Sequence, residues 1–352
     1  MDVKKYHTIG LMSGSSLDGL DIAYVIFEKI NDAWSFEIAA SECLEYPPAM
    51  LTKLKNAKQL SIEEFYKIHT QLGHYYGNAV KHFCASNQIK QIDVLASHGH
   101  TIFHDPANMV TCQIGCGAAI AASSGFKTVS DLRAVDIAYR GQGAPIVPIG
   151  DRLLFSEYDA LLNIGGIANI SIKKGNDYIA YDITCANQIL NHYANQLGKP
   201  YDESGKIAAS NAPNQALIEQ LEQLDYYQVA APKSLDNSFS KTIIKIIDSY
   251  PISTSEKIAS YTIHLAQSIA KQTTGVNNML VTGGGAHNTF LIDQIQSNTK
   301  CKVIIPDAQV IDYKEALVMA LIGLLRTEHQ INTLKSATGA IKDSIGGAVY
   351  LP

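Results

Sequence analysis

Apolar positions along the 352-residue chain fall into two rhythms. Alternating or short bounded apolar runs predict strands near 6–12, 20–28, 92–97, 160–164, 168–173, 178–182, 278–282 and 302–305. Apolar residues recurring at three and four positions predict helices over 61–86, 185–198, 255–273 and 313–328. Strands alternate with helices, the pattern of an α/β protein, and no low-complexity linker interrupts them.

One arrangement occurs twice. The segment "TIGLMSGSSLDGLDIAYVIF" (8–27) reads as strand, small-residue turn, strand, and "LLNIGGIANISI" (161–172) repeats it with Gly165 and Gly166 at the tip between Asn163 and Asn169. A tip without side-chain bulk lets backbone N–H groups approach an anion. A third glycine element, "MLVTGGGAHNTFLIDQI" (279–295), runs from a strand through Gly283, Gly284 and Gly285 towards a helix, with room for a phosphate or a flat ring at the helix start. One glycine turn is an ordinary connection; three in this order point to a nucleotide. The familiar nucleotide loops are excluded, because "LGKP" and "SGKI" lack the Walker A spacing and "GQGAPI", "GCGAAI" and "GGGAHN" miss the last position of the dinucleotide fingerprint. What remains is the two-hairpin arrangement of proteins shaped like actin, hexokinase and Hsp70.

Composition narrows the classes further. Hydrophobic residues make up 46% of the chain, enough for an ample core, and the length fits about two domains. The net charge of −5 comes without a cluster of Lys and Arg, which argues against a nucleic-acid partner. The first residues hold no apolar signal core, and "ALVMALIGLL" (316–325) is too short to cross a bilayer, so the expectation is a soluble cytoplasmic protein with no membrane contact. Cys43, Cys84, Cys112, Cys116, Cys185 and Cys301 are scattered, as reduced thiols of the cytosol are. His98, His100 and His104 with Cys112 and Cys116 are the one set that could collect around zinc, although their spacing repeats no zinc pattern.

An ordered series of motifs then carries a resemblance. "GLMSGSSLDGLDIA" (10–23), "SHGHTIFHDP" (97–106), "QIG" (113–115), "DLRAVDIAYRGQGAPIVP" (131–148), "NIGGIANIS" (163–171), "YDITCAN" (181–187), "YDESGKIAA" (201–209), "VTGGGAHN" (281–288), "EALVMALIG" (315–323) and "TGAIKDSIGG" (338–347) run from one end of the chain to the other. Together they resemble the anhydro-N-acetylmuramic acid kinase family. The resemblance implies an actin-like, ribonuclease H-like ATPase fold of two duplicated lobes around a cleft. The bounds expected are 1–130 for the first lobe, joined by 335–352, and 131–334 for the second. It implies ATP and Mg²⁺, a homodimer, and one coupled reaction. Water opens the 1,6-anhydro bridge of the sugar and the freed O6 takes the γ-phosphoryl group, giving N-acetylmuramic acid 6-phosphate for cell-wall recycling.

Residue roles follow from the resemblance, each beside a plainer reading. Phosphate transfer needs positioned N–H groups and charge neutralisation, which assigns Gly10, Ser13, Gly14, Ser15, Ser16, Asp18, Gly165, Gly166, Gly283, Gly284, Gly285 and Asn288 to ATP. Asp18 is either a magnesium partner or an Asx-turn residue. Asp182 aligns with the catalytic base that activates water; the plainer reading is the approach to a helix capped by Thr184. Ser97, His98, Thr101, Gln113, Arg133 and Glu315 match sugar-binding positions. Arg133 suits the lactyl carboxylate through its planar fork, or else pairs with Asp131 or Asp136; Glu315 otherwise serves the dipole of its helix. Three segments depart from the family pattern: Gly99, His100, Thr101 for Gly-Gln-Thr; Cys116, Gly117 for Asp-Pro; and Ile183 to Asn187 for Thr-Gly-Pro-Gly-Asn. Side chains added beside Asp182 are expected to take space from water or substrate, which keeps a kinase for another sugar, or a non-catalytic sugar or ATP sensor, as the alternatives.

Overall fold

A computed structural model describes residues 3–14, 17–175, 177–231, 233–235 and 238–352. The chain divides into two compact units, Met1–Ser156 with Tyr313–Pro352, and Glu157–Asp312. In chain order the first unit holds β1 (Lys4–Ser13), β2 (Leu20–Ile30), β3 (Ala33–Leu44), β4 (Val94–Asp105), β5 (Val110–Ile114) and β6 (Thr128–Ser130). The second holds β7 (Ala160–Ile164), β8 (Ile167–Lys174), β9 (Asp177–Cys185), β10 (Asn278–Thr282) and β11 (Lys302–Ile304), and β12 (Ala348–Tyr350) returns to the first.

The two sheets share one topology. In the first the order is β12-β6-β4-β1-β2-β3, with β5 added to β4; in the second it is β11-β10-β7-β8-β9. Each begins with a three-stranded antiparallel meander, and two further strands then join parallel to its first strand. Parallel strands require crossovers, which is why long helices separate β3 from β4 and β9 from β10. This is the ribonuclease H-like strand order, and its duplication in one chain is that of the actin-like ATPases.

Each sheet is sealed by a capped amphipathic helix. In the first unit Ser61 and Glu64 form a capping box at the start of helix Ile62–Ser86, which lays Leu72, Tyr76 and Phe83 against Ile9, Leu11, Leu20 and Ile22. In the second, Ser253 and Glu256 cap helix Thr254–Lys271, whose Ile258, Tyr261, Leu265 and Ile269 pack on Leu162, Ile164, Ile170 and Ile183. The units end at other bounds than the 130 and 334 expected, because 131–156 and 313–334 lie with the first. A buried ion pair of 2.9 Å between Lys314 and Asp151 ties those two stretches together. Helix Ala308–Thr327 crosses the division, and its part within the first unit runs close over the sheet: a Cβ on Gly10 would run into the Ala316 carbonyl, and one on Gly323 into Ala96.

Candidate active site

The glycines of the second unit gather at one end of its sheet. The carbonyls of Gly165 and Gly166, in the β7–β8 turn, accept from the amides of Asn187 (3.1 Å), Ala186 (2.7 Å) and Gln188 (3.2 Å) at the start of helix Asn187–Gln196. The N–H of the Gly165–Gly166 peptide is thereby turned the opposite way, since a trans peptide points its two polar groups apart. The loop after β10 joins them: Gly283 sits at φ +81 against Asn163, and a Cβ on Gly284 would meet nothing among the described residues nearer than Asn187 Nδ2 at 3.9 Å. A Cβ on Gly165 would likewise have Asn163 Nδ2, at 3.5 Å, as its nearest contact. Neither backbone torsion nor packing demands glycine at 165 or 284, so the bare surface itself is what these residues supply. Asn288 has another task, because its Oδ1 accepts from Leu291 N at 3.0 Å and caps helix Thr289–Ser297.

Asp182 lies near the end of β9, opposite Asn169 of β8 and just before an irregularity in their register. Three bonds from one neighbouring segment hold it. Its N–H donates to Lys233 O (3.1 Å), its carboxylate Oδ2 accepts from Leu235 N (2.9 Å), and its carbonyl accepts from Tyr226 Oη (2.7 Å). Burial raises its pKa above the ordinary carboxylate value, and the Leu235 amide partly offsets the rise. The capping reading fails, as helix Asn187–Gln196 has no side-chain cap and Thr184 is fully buried. Thr184 belongs instead to a chain of bonds beneath the strand end: His264 Nε2 to Tyr227 Oη (3.1 Å), Tyr227 to Thr184 (2.6 Å), Thr184 to Tyr261 (3.4 Å), and Tyr261 to the Cys185 carbonyl (2.7 Å). Among the described residues Nδ1 of His264 is buried without a partner, so the proton belongs on Nε2, and each hydroxyl can then donate to the next. Tyr226, Tyr227, Tyr261, His264 and Leu235 were not legible in sequence, being distant from any glycine or carboxylate motif.

In the first unit the β1–β2 connection carries Gly14, Leu17 and the exposed Asp18; Ser15 and Ser16 lie outside the described residues. Gly10 is not on that connection but inside β1, where it admits the helix above it. The Ser13 hydroxyl is also spoken for: it accepts from Tyr46 Oη at 2.7 Å, which meets Tyr76 Oη at 2.8 Å, and it bonds His100 Nδ1 at 3.0 Å. Burial lowers the His100 pKa, keeping the ring neutral within this chain.

The sugar-binding candidates divide in two. Thr101 and Gln113 face one another across β4 and β5; the Gln113 amide donates to Thr101 (3.3 Å) and Thr111 (2.8 Å), leaving its carbonyl oxygen as the acceptor to offer. Arg133 donates from Nη1 to the Gly143 carbonyl at 2.8 Å and from Nε to His98 Nε2 at 2.8 Å. Asp136 is not its ion-pair partner, since its oxygens take Gly143 N (2.8 Å) and Thr338 Oγ1 (2.7 Å). Asp131 does not pair with Arg133 either; its carboxylate takes the Ser130 hydroxyl. Glu315 attracts Arg133 electrostatically; its side chain opens to solvent, yet the protein packed around its carboxyl raises its pKa while Arg133 pulls it down. Ser97 and His98 are buried; the Ser97 hydroxyl accepts from Gly99 N (3.2 Å), and both ring nitrogens of His98 are engaged, so the imidazole has none left for a ligand. The imidazoles considered for zinc are directed apart, His98 to Arg133, His100 to Ser13 and His104 to Thr111. Among the described residues no three His, Cys, Asp or Glu converge on a metal.

Comparison with known proteins supplies what geometry leaves open. The sequence profile described as anhydro-N-acetylmuramic acid kinase matches residues 6–352. The chain belongs to this family. A relative named anhydro-N-acetylmuramic acid kinase in Clostridioides difficile (strain 630) is 33% identical, covering 97% of this chain and 98% of its own. One of the same name in Saccharophagus degradans is 32% identical, covering 98% of each. Among solved structures, component A of the Acidaminococcus fermentans (R)-2-hydroxyglutaryl-CoA dehydratase aligns over 92% of this chain and 99% of its own at TM-score 0.46 and 14% identity. Anhydro-N-acetylmuramic acid kinases are enzymes that phosphorylate a sugar hydroxyl.

Membership in the kinase family gives the departures from its pattern a concrete test. Ile183, Cys185 and Ala186 are 2%, 2% and 0% exposed and pack into the core of the second unit, so the side chains added there point away from the surface beside Asp182. They fill the protein interior. His100 likewise turns its ring nitrogen to Ser13.

Proposed function

We propose that this chain is an ATP-dependent kinase that opens 1,6-anhydro-N-acetylmuramic acid and phosphorylates its O6, in cell-wall recycling. The observation that carries the reading is Asp182, a partly buried carboxylate with one oxygen held by the Leu235 amide and with a raised pKa. Fixing Oδ2 leaves Oδ1 to take a proton from water, and a base held in one orientation contributes on the order of 10²–10⁴ in rate. As water's oxygen bonds to C1, the C1–O6 bond breaks. O6 then bonds to the γ-phosphorus, ADP leaves, and the proton from water rests on Asp182. Gly14, Gly165, Gly166 and Gly284 are the phosphate-contacting residues of this reading, supported at Gly165 and Gly284 by the open space beside the backbone, with Arg133, Thr101, Gln113 and Glu315 for the sugar.

Magnesium takes one or two carboxylates along with phosphate oxygens and waters, and the exposed Asp18 on a small-residue turn is a donor of that kind. It would hold the ion, whose chemistry is to neutralise phosphate charge. The family resemblance also makes a cytoplasmic homodimer the expected working form; a one-chain mass by light scattering removes the dimer.

The deciding experiment incubates the protein with Mg²⁺, ATP and the anhydrosugar and reads ADP and product mass. A product heavier by one phosphate and one water is expected. Asp182→Asn is expected to abolish turnover and leave the ATP Kd within about twofold. Normal turnover in that variant defeats the base assignment, and ATP consumption without the product points to another sugar.

A further inference from the structure

The His98 ring is fully committed on both sides. Nδ1 lies 2.9 Å from the Gly99 carbonyl, which can only accept, so Nδ1 carries the proton. Nε2 lies 2.8 Å from Nε of Arg133, which can only donate, so Nε2 is bare. The two partners fix one neutral tautomer, and a protonated ring has no place beside the guanidinium. Burial together with the Arg133 charge accordingly brings the His98 pKa down to about 3.

The same contacts fix Arg133. The bond to His98 uses the Nε–H and the bond to the Gly143 carbonyl uses one N–H of Nη1, so the Nη2 end is what can meet an anion. The Gly143 loop is itself pinned, because Asp136 accepts from Gly143 N and from Thr338 Oγ1. Among the described residues no carboxylate lies within ion-pair reach of Arg133. A guanidinium hydrogen-bonded only to neutral acceptors still has charge to offer a ligand, with Glu315 and Asp136 acting on it electrostatically but not bonded to it, whereas one bonded directly to a carboxylate would already be neutralised.

We propose that His98 is a positioning residue that holds Arg133 through its bare Nε2, and that this neutral anchor sets the preference for a sugar carrying a carboxylate over the same sugar without one. The inference rests on the reading of Arg133 as the site of the lactyl carboxylate. It moves His98 from the sugar-contacting role that its motif implies to one exercised through Arg133.

The test compares kcat/KM for the anhydrosugar with and without its lactyl group. Wild type prefers the acid, and Arg133→Gln brings the preference close to one. His98→Leu lowers the preference roughly 10- to 100-fold, mainly through KM for the acid, the range for one hydrogen bond to a charged group. His98→Gln restores most of it, since the Gln oxygen can occupy the place of Nε2. Nitrogen-15 spectra show His98 protonated on Nδ1 alone from pH 5 to 8, which decides the matter should the Leu variant fail to fold. A preference in His98→Leu equal to that of wild type, with Arg133→Gln collapsed, overturns the proposal alone; so does a proton on Nε2. An Arg133→Gln enzyme that still prefers the acid overturns the reading of Arg133 and the proposal with it.

Discussion

Asp182 draws its orientation from Tyr226, Lys233 and Leu235, three partly buried residues of one neighbouring segment. Tyr226→Phe removes the 2.7 Å bond to the Asp182 carbonyl and leaves the Leu235 bond to its carboxylate in place, so kcat is expected to fall roughly 2- to 10-fold with the ATP Kd unchanged. Stopped-flow nucleotide binding beside steady-state rates checks the split. With its pKa raised above the ordinary 3.8, Asp182 must lose its proton to act, so the acidic limb of kcat/KM lies above that value. Buried imidazoles set a second pH dependence. His98 and His264 are held down to about 3, while the unfolded chain takes up their protons near 6.5. The unfolded state therefore binds more protons within that window, and stability, complete above 6.5, drains as pH falls towards 3. His264→Gln keeps an amide for Tyr227 and is expected to flatten the slope of unfolding free energy against pH by up to ~1.4 kcal/mol per unit, read from denaturant titrations.

Glycines that look alike in sequence differ once their elements are in place. Gly10→Ala is expected to cost about 1–3 kcal/mol and lower Tm, because its Cβ meets helix backbone, whereas Gly165→Ala leaves Tm nearly unchanged and weakens ATP binding. Calorimetry and nucleotide titration of the pair separate packing from ligand access. This distinction marks where sequence reading stops: "GLMSGSS" gives the hairpin but not which glycine faces a helix. The strands β1, β2 and β7 to β11 were legible because their apolar runs are bounded by turn residues. β3 was not read, since its Trp34, Phe36, Ile38 alternation slips at an irregularity opposite Tyr24 and Val25 and gives way to polar residues. β4 runs past its apolar start through Ser97, His98 and His100, polar side chains that are buried and satisfied and so leave no hydrophobic signal. The same residues read as ligand contacts for the reason that they are polar. Arg133, Thr101, Gln113 and Asp182 needed the family's motifs, because no local periodicity distinguishes a base from a helix cap.

At the scale of the whole molecule the second unit is an uninterrupted stretch set into the first. A chain truncated after Asp312 retains β7 to β11 and helix Thr254–Lys271, so slow amide exchange is expected in that sheet and fast exchange in β1 and β4, which lack helix residues from Tyr313 onward and β12. Loss of protection in both sheets would show that the second unit depends on the first. The close seat of that helix over Gly10 and Ala96 has a consequence during synthesis. Translation proceeds at roughly 5–20 residues per second, so β1 leaves the ribosome and waits about 15–60 s while the roughly 300 residues up to that helix are made. The strand emerging first is closed over among the last, and a cell producing this protein must shield an unfinished sheet edge and face through that delay.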